Sequence, residues 1–217
     1  MEHSIIIVIL IFLGYFVIHS ITASIGLKQW VSVRWPTSMP WYRLGFNALA
    51  VVLCVPLLWI LSVYPGEPLW QWQGWLFYLA NGFAFLAMVG FIASLKYYDL
   101  HEFFGTRQLM GKVTSVKDLE AFHISPFHRY VRHPWYFFLL VLIWTRDMST
   151  TQFAAYLMVT LYLIVGSRME EKKLIVYHGE VYRLYCEKVS GLVPLPWKKL
   201  NPRQAEALLL KYKQNDT

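Results

Sequence analysis

Apolar residues run along this chain in long unbroken stretches. They do not show the one-faced or alternating patterns of a soluble domain. Three stretches carry no Asp, Glu, Lys or Arg: residues 4–27 (24 residues), 44–64 (21) and 75–95 (21). A helix needs roughly 20 apolar residues to cross a hydrocarbon core about 30 Å thick, so each stretch predicts a membrane span. A fourth apolar region, residues 135–167, is interrupted by Arg146 and Asp147. As a single helix it would be about 50 Å long, with both charges at mid-membrane. A hairpin avoids that cost: residues 135–145 lead out, 146–151 turn and 152–167 return. The outward arm is short, so it borrows length from its flanks or crosses a locally thinned bilayer. The pattern predicts an all-α integral membrane protein of five transmembrane helices. The last two form a short helical hairpin, and a cytosolic C-terminal helical segment follows.

Charge then orients the bundle. Three Lys or Arg lie between the first and second spans, six between the third and fourth, and ten after the fifth. Nineteen of the twenty basic residues fall on one side, and only Arg146 falls on the other. Cytoplasmic segments carry the Lys/Arg excess, so the N-terminus is expected outside and the C-terminus in the cytosol. A four- or six-helix arrangement would break this asymmetry. The first stretch has no basic start, only Glu2 and His3, and is too long for the apolar region of a signal peptide. It is therefore kept as a span. The expected organisation is a three-helix region over residues 1–95, a cytosolic loop over 96–133, a hairpin with a cytosolic segment over 134–200, and a polar tail over 201–217.

Composition supports the membrane reading. Hydrophobic residues make up 57% of the chain and charged residues 15%, against about 25% charged in a typical soluble domain. A soluble enzyme, a disordered chain and a secreted disulfide scaffold are excluded. The net charge of +7 sits between apolar runs, as topology places it, and no nucleic-acid partner is expected. Cys54 and Cys186 fall in a predicted span and a predicted cytosolic segment, so no disulfide is expected. No GxGxxG, P-loop, CxxC, HExxH or GxSxG pattern occurs, and no metal is expected.

Three polar clusters remain. The first is His128-Arg129-Tyr130-Val131-Arg132-His133-Pro134-Trp135-Tyr136. Pro134 is suited to a first helical position. That puts Arg132 and His133 at a helix N-terminus, where free N–H groups and the helix dipole attract anions. The competing reading makes Arg129 and Arg132 topological anchors, and Trp135 and Tyr136 part of an interfacial aromatic belt. The second cluster is Arg168-Met169-Glu170-Glu171-Lys172-Lys173. Arg168 and Glu171, three apart, share a helical face and can pair. Glu170 points about 100° away and needs another partner. The third cluster is His178-Gly179-Glu180-Val181-Tyr182-Arg183-Leu184-Tyr185, followed by Val193-Pro194-Leu195-Pro196. Tyr182 and Tyr185 share a face there, and the prolines end the helix.

Taken in order, RHPWY, a hairpin, RMEEKKL, HGEVYRLY and VPLP resemble the isoprenylcysteine carboxyl methyltransferase superfamily of integral membrane enzymes. The resemblance covers about residues 127–196, a third of the chain. His128 stands where a Tyr is usual, and His178 where a Phe is usual. Within that superfamily the N-terminal half is similar to the bacterial membrane methanethiol S-methyltransferases. The shorter motifs that carry this are His19-Ser20, Tyr42-Arg43-Leu44 and Phe104-Gly105-Thr106-Arg107-Gln108, and the hairpin stretch Trp144-Thr145-Arg146-Asp147-Met148-Ser149 is similar to theirs as well.

The resemblance implies S-adenosylmethionine as methyl donor, held at the cytosolic face of a bacterial inner membrane. The matching cofactor-binding positions are Arg132, His133, Tyr136, Glu170, Glu171, Tyr182 and Tyr185. It also implies a small or lipophilic thiol acceptor such as methanethiol, converted to a methyl sulfide. The residue chemistry is compatible. The donor's carboxylate suits Arg132 and His133, its ribose hydroxyls suit Glu170 or Glu171, and its adenine suits an aromatic slot. For catalysis, Arg168 would favour a thiolate, or Glu171 would take its proton. A prenyl- or lipid-type carboxylate or amine acceptor stays open. So does a haem protein of the zeta-carotene isomerase group, in which His19 and His133 would be axial ligands, and so does a purely structural role. His19 lies within the first span, where an ionisable residue is a candidate for function. The alternative is a neutral His bonded to Asn47 or Asn81.

Overall fold

The computed structural model describes residues 2–111 and 122–215. Lys112, Lys117 and Thr217, which enter the charge and topology expectations, lie outside them. The described chain is all-α apart from one small strand pair. Its helices are α1 (Glu2–Ala23), α2 (Ile25–Arg34), α3 (Met39–Val63), α4 (Gly74–Leu95), α5 (Leu100–Phe104), α6 (Thr106–Gly111), α7 (Pro134–Trp144), α8 (Thr150–Lys188) and α9 (Pro202–Asn215). Strands β1 (Pro68–Trp70) and β2 (Met148–Ser149) pair antiparallel. Four helices are long and apolar enough to cross a membrane, those within His3–Ala23, Pro36–Val63, Gly74–Leu95 and Thr150–Lys188, and Pro134–Trp144 is a shorter apolar helix. Leu10, Leu58, Trp75 and Phe85 are exposed on them, as expected where lipid rather than water is the neighbour.

The chain forms two compact units. In the first, α1 packs on α3. The first apolar stretch ends earlier than expected, at Ala23. Ser24 caps the next helix there, its side chain accepting from the Leu27 N–H at 3.2 Å. The strand pair was not foreseen. It is tied by the Thr150 N–H to the Glu67 carbonyl (2.9 Å) and by the Trp72 N–H to the Asp147 carboxylate (3.0 Å). Gly66 turns into it at φ +74°, where a Cβ would strike Thr150 Oγ1 at 2.5 Å.

In the second unit α7 lies along α4. Ala80, Ala84, Ala87 and Ser94 of α4 are buried, a small-residue stripe that lets backbones approach. The Trp135 indole donates to Ser94 Oγ at 2.8 Å, and the Trp144 indole to Thr160 Oγ1 at 3.0 Å. The short helix is thus pinned near both ends. The break in the fourth apolar region falls close to where the sequence put it, since α7 ends at Trp144 and α8 starts at Thr150. However, α8 does not stop at Ser167. It continues to a bend at Gly179 (φ 61°, ψ −142°) and then to Lys188. Within the expected polar tail, α9 is helical and packs on a core of Phe122, Val181, Tyr182, Tyr185, Val189 and Leu200.

The α4–α7 packing yields a test. A Cβ on Gly90 would sit 2.7 Å from Phe138 Cε1, whereas one on Gly82 meets nothing within 4 Å. Gly90→Val should therefore lower stability by about 1–3 kcal/mol through overpacking. Gly82→Val should stay near wild type when thermal unfolding is followed in detergent.

Candidate functional site

The site is built in the second unit, where the chain entering α7 runs beside the chain leaving α8. The Arg132 N–H donates to the Ser190 carbonyl at 2.8 Å, and the His133 N–H donates to the Gly191 carbonyl at 3.2 Å. Pro134 then takes the first helical position, as its missing N–H favours.

Arg132 is almost saturated. Its Nε donates to Glu171 Oε1 at 2.7 Å and its Nη2 to Oε2 at 2.9 Å, a bidentate pair. Its Nη1 donates to the carbonyls of Cys186, at 2.8 Å, and of Val189. Those carbonyls lie in the last turn of α8 and just past it, where a helix leaves C=O groups without partners and its dipole favours a cation. Arg132 therefore holds α8 on both sides of the Gly179 bend. Burial disfavours its charge, but the Glu171 hydrogen bond and carboxylate outweigh that, and the guanidinium pKa is raised.

His133 is buried between the two carboxylates. Its Nε2 is 3.0 Å from Glu171 Oε1, and its Nδ1 is 3.5 Å from Glu170 Oε2. Its ring stacks on Tyr136 with centroids 5.2 Å apart and planes 7° apart. The Tyr136 hydroxyl donates to Glu170 Oε2 at 3.2 Å. The two glutamates differ in access. The Glu170 side chain is 45% exposed and that of Glu171 only 16%.

Five of the residues singled out in the sequence, Arg132, His133, Tyr136, Glu170 and Glu171, thus form one hydrogen-bonded cluster. Three others sit differently. Arg168 does not pair with Glu171 as the three-residue spacing suggested. It is exposed, and Glu171 turns instead to the forked donors of Arg132. Tyr182 and Tyr185 are buried in the Phe122 core, and the Tyr185 hydroxyl donates to the His128 carbonyl at 2.7 Å. His128 itself is half-buried against Ser125, whose Oγ is 2.7 Å from Nδ1. Burial first, then the nearby His123 and His133, push its pKa down to about 3.

Sequence reasoning missed Ser190 and Gly191, because nothing in their identity announces a role. Ser190 is 5% exposed, and its Oγ has no hydrogen-bond partner among the described residues. A Cβ on Gly191 would crowd Arg132 Nη2 at 3.3 Å and Glu171 Oε1 at 3.7 Å.

The shorter N-terminal motifs fold into the first unit. Arg43 Nε and Asn47 Nδ2 both donate to the Phe103 carbonyl, at 3.3 and 2.8 Å. Gly105, at φ +86°, brings the backbone against Arg43 and Leu44. The His19 ring stacks on Tyr15 and leans on Phe46. Asn47 bonds the Phe103 carbonyl, and in the second unit Asn81 bonds Phe77 and Arg146. Among the described residues no group of three or more His, Cys, Asp or Glu is placed to hold a metal ion.

No family model matches the chain, and no solved structure matches it. Curated relatives do. The chain is 30% identical over 203 residues to a methanethiol S-methyltransferase of Crocosphaera subtropica, covering 86% of this chain and 74% of the relative. It is 29% identical over 210 residues to that of Mycobacterium tuberculosis (88% and 79%). It is 28% identical over 179 residues to that of Pseudomonas deceptionensis (81% and 67%).

The Arg132 geometry predicts a large loss on truncation. Arg132→Met leaves Glu171 and two helix-end carbonyls without their donor, so stability should fall by on the order of 3 kcal/mol. Arg132→Lys, a point charge that cannot fork, should recover only part of it. Thermal unfolding of both variants in one detergent checks the order.

Proposed function

Because the chain belongs to the methanethiol S-methyltransferase family, we propose that it methylates a small thiol, such as methanethiol, to a methyl sulfide with S-adenosylmethionine as donor. The observation that carries this reading is the gathering of Arg132, His133, Tyr136, Glu170 and Glu171 into one cluster. The residues fit such a donor. Glu170 offers a part-exposed carboxylate able to accept from hydroxyl or ammonium groups. Ser190 Oγ is buried without a partner among the described residues, a group that a polar ligand would satisfy.

The donor supplies a methyl group on a sulfonium sulfur. The chain's own groups must handle the proton, since a thiol with a pKa near ~8.5 is mostly protonated at neutral pH. Glu171 is engaged by Arg132 and His133, so in this reading it orients them. Glu170 is the carboxylate with room to accept the proton at Oε2, beside His133 Nδ1. Arg168, exposed on the same helix, is the cation available to a thiolate. Tyr182 and Tyr185 hold the cluster's rear wall. A haem reading fits less well. Both His133 ring nitrogens face carboxylates, which leaves neither aimed at an iron.

The proposed topology has five crossing helices, with α7 as the fourth. At 1.5 Å per residue α7 is about 16 Å long, so the bilayer thins there or the polar flanks enter it. In this reading the N-terminus lies outside, and the C-terminus and the cluster lie on the cytosolic side, as the excess of basic residues there favours.

Two experiments test these readings. Purified protein given methyl-labelled S-adenosylmethionine and methanethiol should release labelled dimethyl sulfide. Glu170→Gln should lower kcat about a hundredfold without loss of thermal stability. Labelled product only from a prenyl carboxylate or an amine would move the acceptor elsewhere, and wild-type kcat in Glu170→Gln would remove Glu170 as base. For topology, a reporter fused after Thr217 should be cytosolic and one inserted at Gly66 external. Both on one side would overturn the five-helix count.

A further inference from the structure

We infer that the C-terminal helix α9 is a positioning element for the Arg132–His133 cluster, acting through the Phe122 ring and the Tyr185 hydroxyl. The inference rests on the reading of that cluster as the donor site.

The helix is well specified. Asn201 Oδ1 accepts from the Gln204 N–H and Gln204 Oε1 accepts from the Asn201 N–H, both at 2.9 Å, a reciprocal capping box. Pro202 follows at the first helical position. Ala205, Leu208, Leu209 and Tyr212 recur at the spacing of one helical face. That face packs on the core containing Phe122, Tyr182 and Tyr185. An amphipathic helix seated this way is an integral wall of the second unit.

Two connections lead from it to the site. Phe122 meets Tyr212 of α9 at 5.6 Å between centroids, and meets Tyr185 at 5.6 Å on another side. The Tyr185 hydroxyl then donates to the His128 carbonyl. Separately, the Leu200 N–H, just before α9, donates to the neighbouring Arg129 carbonyl at 2.9 Å. His128 and Arg129 lie in the short 3-10 turn Phe127–Arg129. Three residues beyond that turn stand Arg132 and then His133, whose N–H groups pair with Ser190 and Gly191. The turn that delivers both cluster residues is therefore fastened by two consecutive carbonyls. One is fastened by the chain entering α9, and the other by a tyrosine that shares a ring neighbour with it. If α9 shifts, the Phe122 and Tyr185 rings lose their backing and the turn loses its register against residues 190–191.

The test uses the full chain in detergent and compares Tyr212→Ala, Tyr212→Phe, Tyr185→Phe and the double variant Tyr212→Ala/Tyr185→Phe. The first readout, hydrogen exchange at the Arg132 and His133 amides, does not depend on any substrate. Tyr212→Ala and Tyr185→Phe should both speed exchange there relative to the amides of α4, and Tyr212→Phe should restore protection. The second readout is methyl transfer. KM for S-adenosylmethionine should rise about three- to tenfold, the loss expected for one hydrogen bond. kcat should stay within about twofold, since weaker binding in ground and transition states alike raises KM alone. The double variant should be no worse than the more affected single variant. Unchanged exchange at Arg132 and His133 in Tyr185→Phe would overturn the inference, and so would fully additive effects in the double variant. If wild-type protein binds no S-adenosylmethionine, the donor-site reading fails, while the exchange measurements still decide whether α9 positions the turn.

Discussion

The second unit of this molecule depends on one guanidinium. Arg132 forks onto Glu171 on one side of the Gly179 bend and caps the carbonyls of Cys186 and Val189 on the other. A helix bent at a glycine with φ +61° has no intrinsic reason to keep a fixed angle, because glycine is the most permissive backbone unit. Two sets of directional, charge-assisted bonds from a single planar group supply the constraint. They also place Arg132 where its own N–H completes the rung with Ser190. Side chain and backbone of one residue thus fix three segments, and Glu170, Glu171 and His133 inherit their geometry from that.

This arrangement divides labour between adjacent glutamates. Residues 170 and 171 differ by about 100° around a helix, so one turns inward to Arg132 and the other remains part-exposed beside Tyr136. Their sequence looks redundant but their environments are not. His133 touches both, Nε2 toward the inner carboxylate and Nδ1 toward the outer. A proton arriving at the outer carboxylate would find an imidazole whose orientation the inner one already sets, the usual way a His ring is held for transfer.

Much of this was legible in the sequence, and the limits have physical causes. The long apolar runs and the Arg146-Asp147 interruption located the main helices and the hairpin, because hydrocarbon forces backbone groups to bond within a helix. The cluster residues stood out because charges are rare in so apolar a chain. The Arg168–Glu171 pairing failed because helical spacing identifies possible neighbours, whereas the winning partner came from 39 residues away. The strand pair and the Ser190–Gly191 rung were invisible for the same reason, being long-range pairings of ordinary residues. Tyr182 and Tyr185 were rightly put on one face, but spacing says nothing of what covers that face. The cover is Phe122 and α9, and the segment carrying α9 looked like a polar tail.

The two units also show why motifs that point to one family need not all touch its chemistry. Tyr42-Arg43-Leu44 and Phe104-Gly105 meet where Arg43 and Asn47 hold the Phe103 carbonyl and where a left-handed glycine lets two backbones approach. A side chain at Gly105 would strike the Leu44 amide at 2.9 Å, so that position tolerates little whatever the substrate. Such residues record the packing of a fold. The residues that could distinguish one reaction from another are those with unspent valence. Among the described residues, groups of that kind include the part-exposed Glu170 carboxylate, the exposed Arg168 and the Ser190 hydroxyl, which has no hydrogen-bond partner among those residues. All three lie in the second unit, and they line the same stretch of chain that Arg132 holds in place.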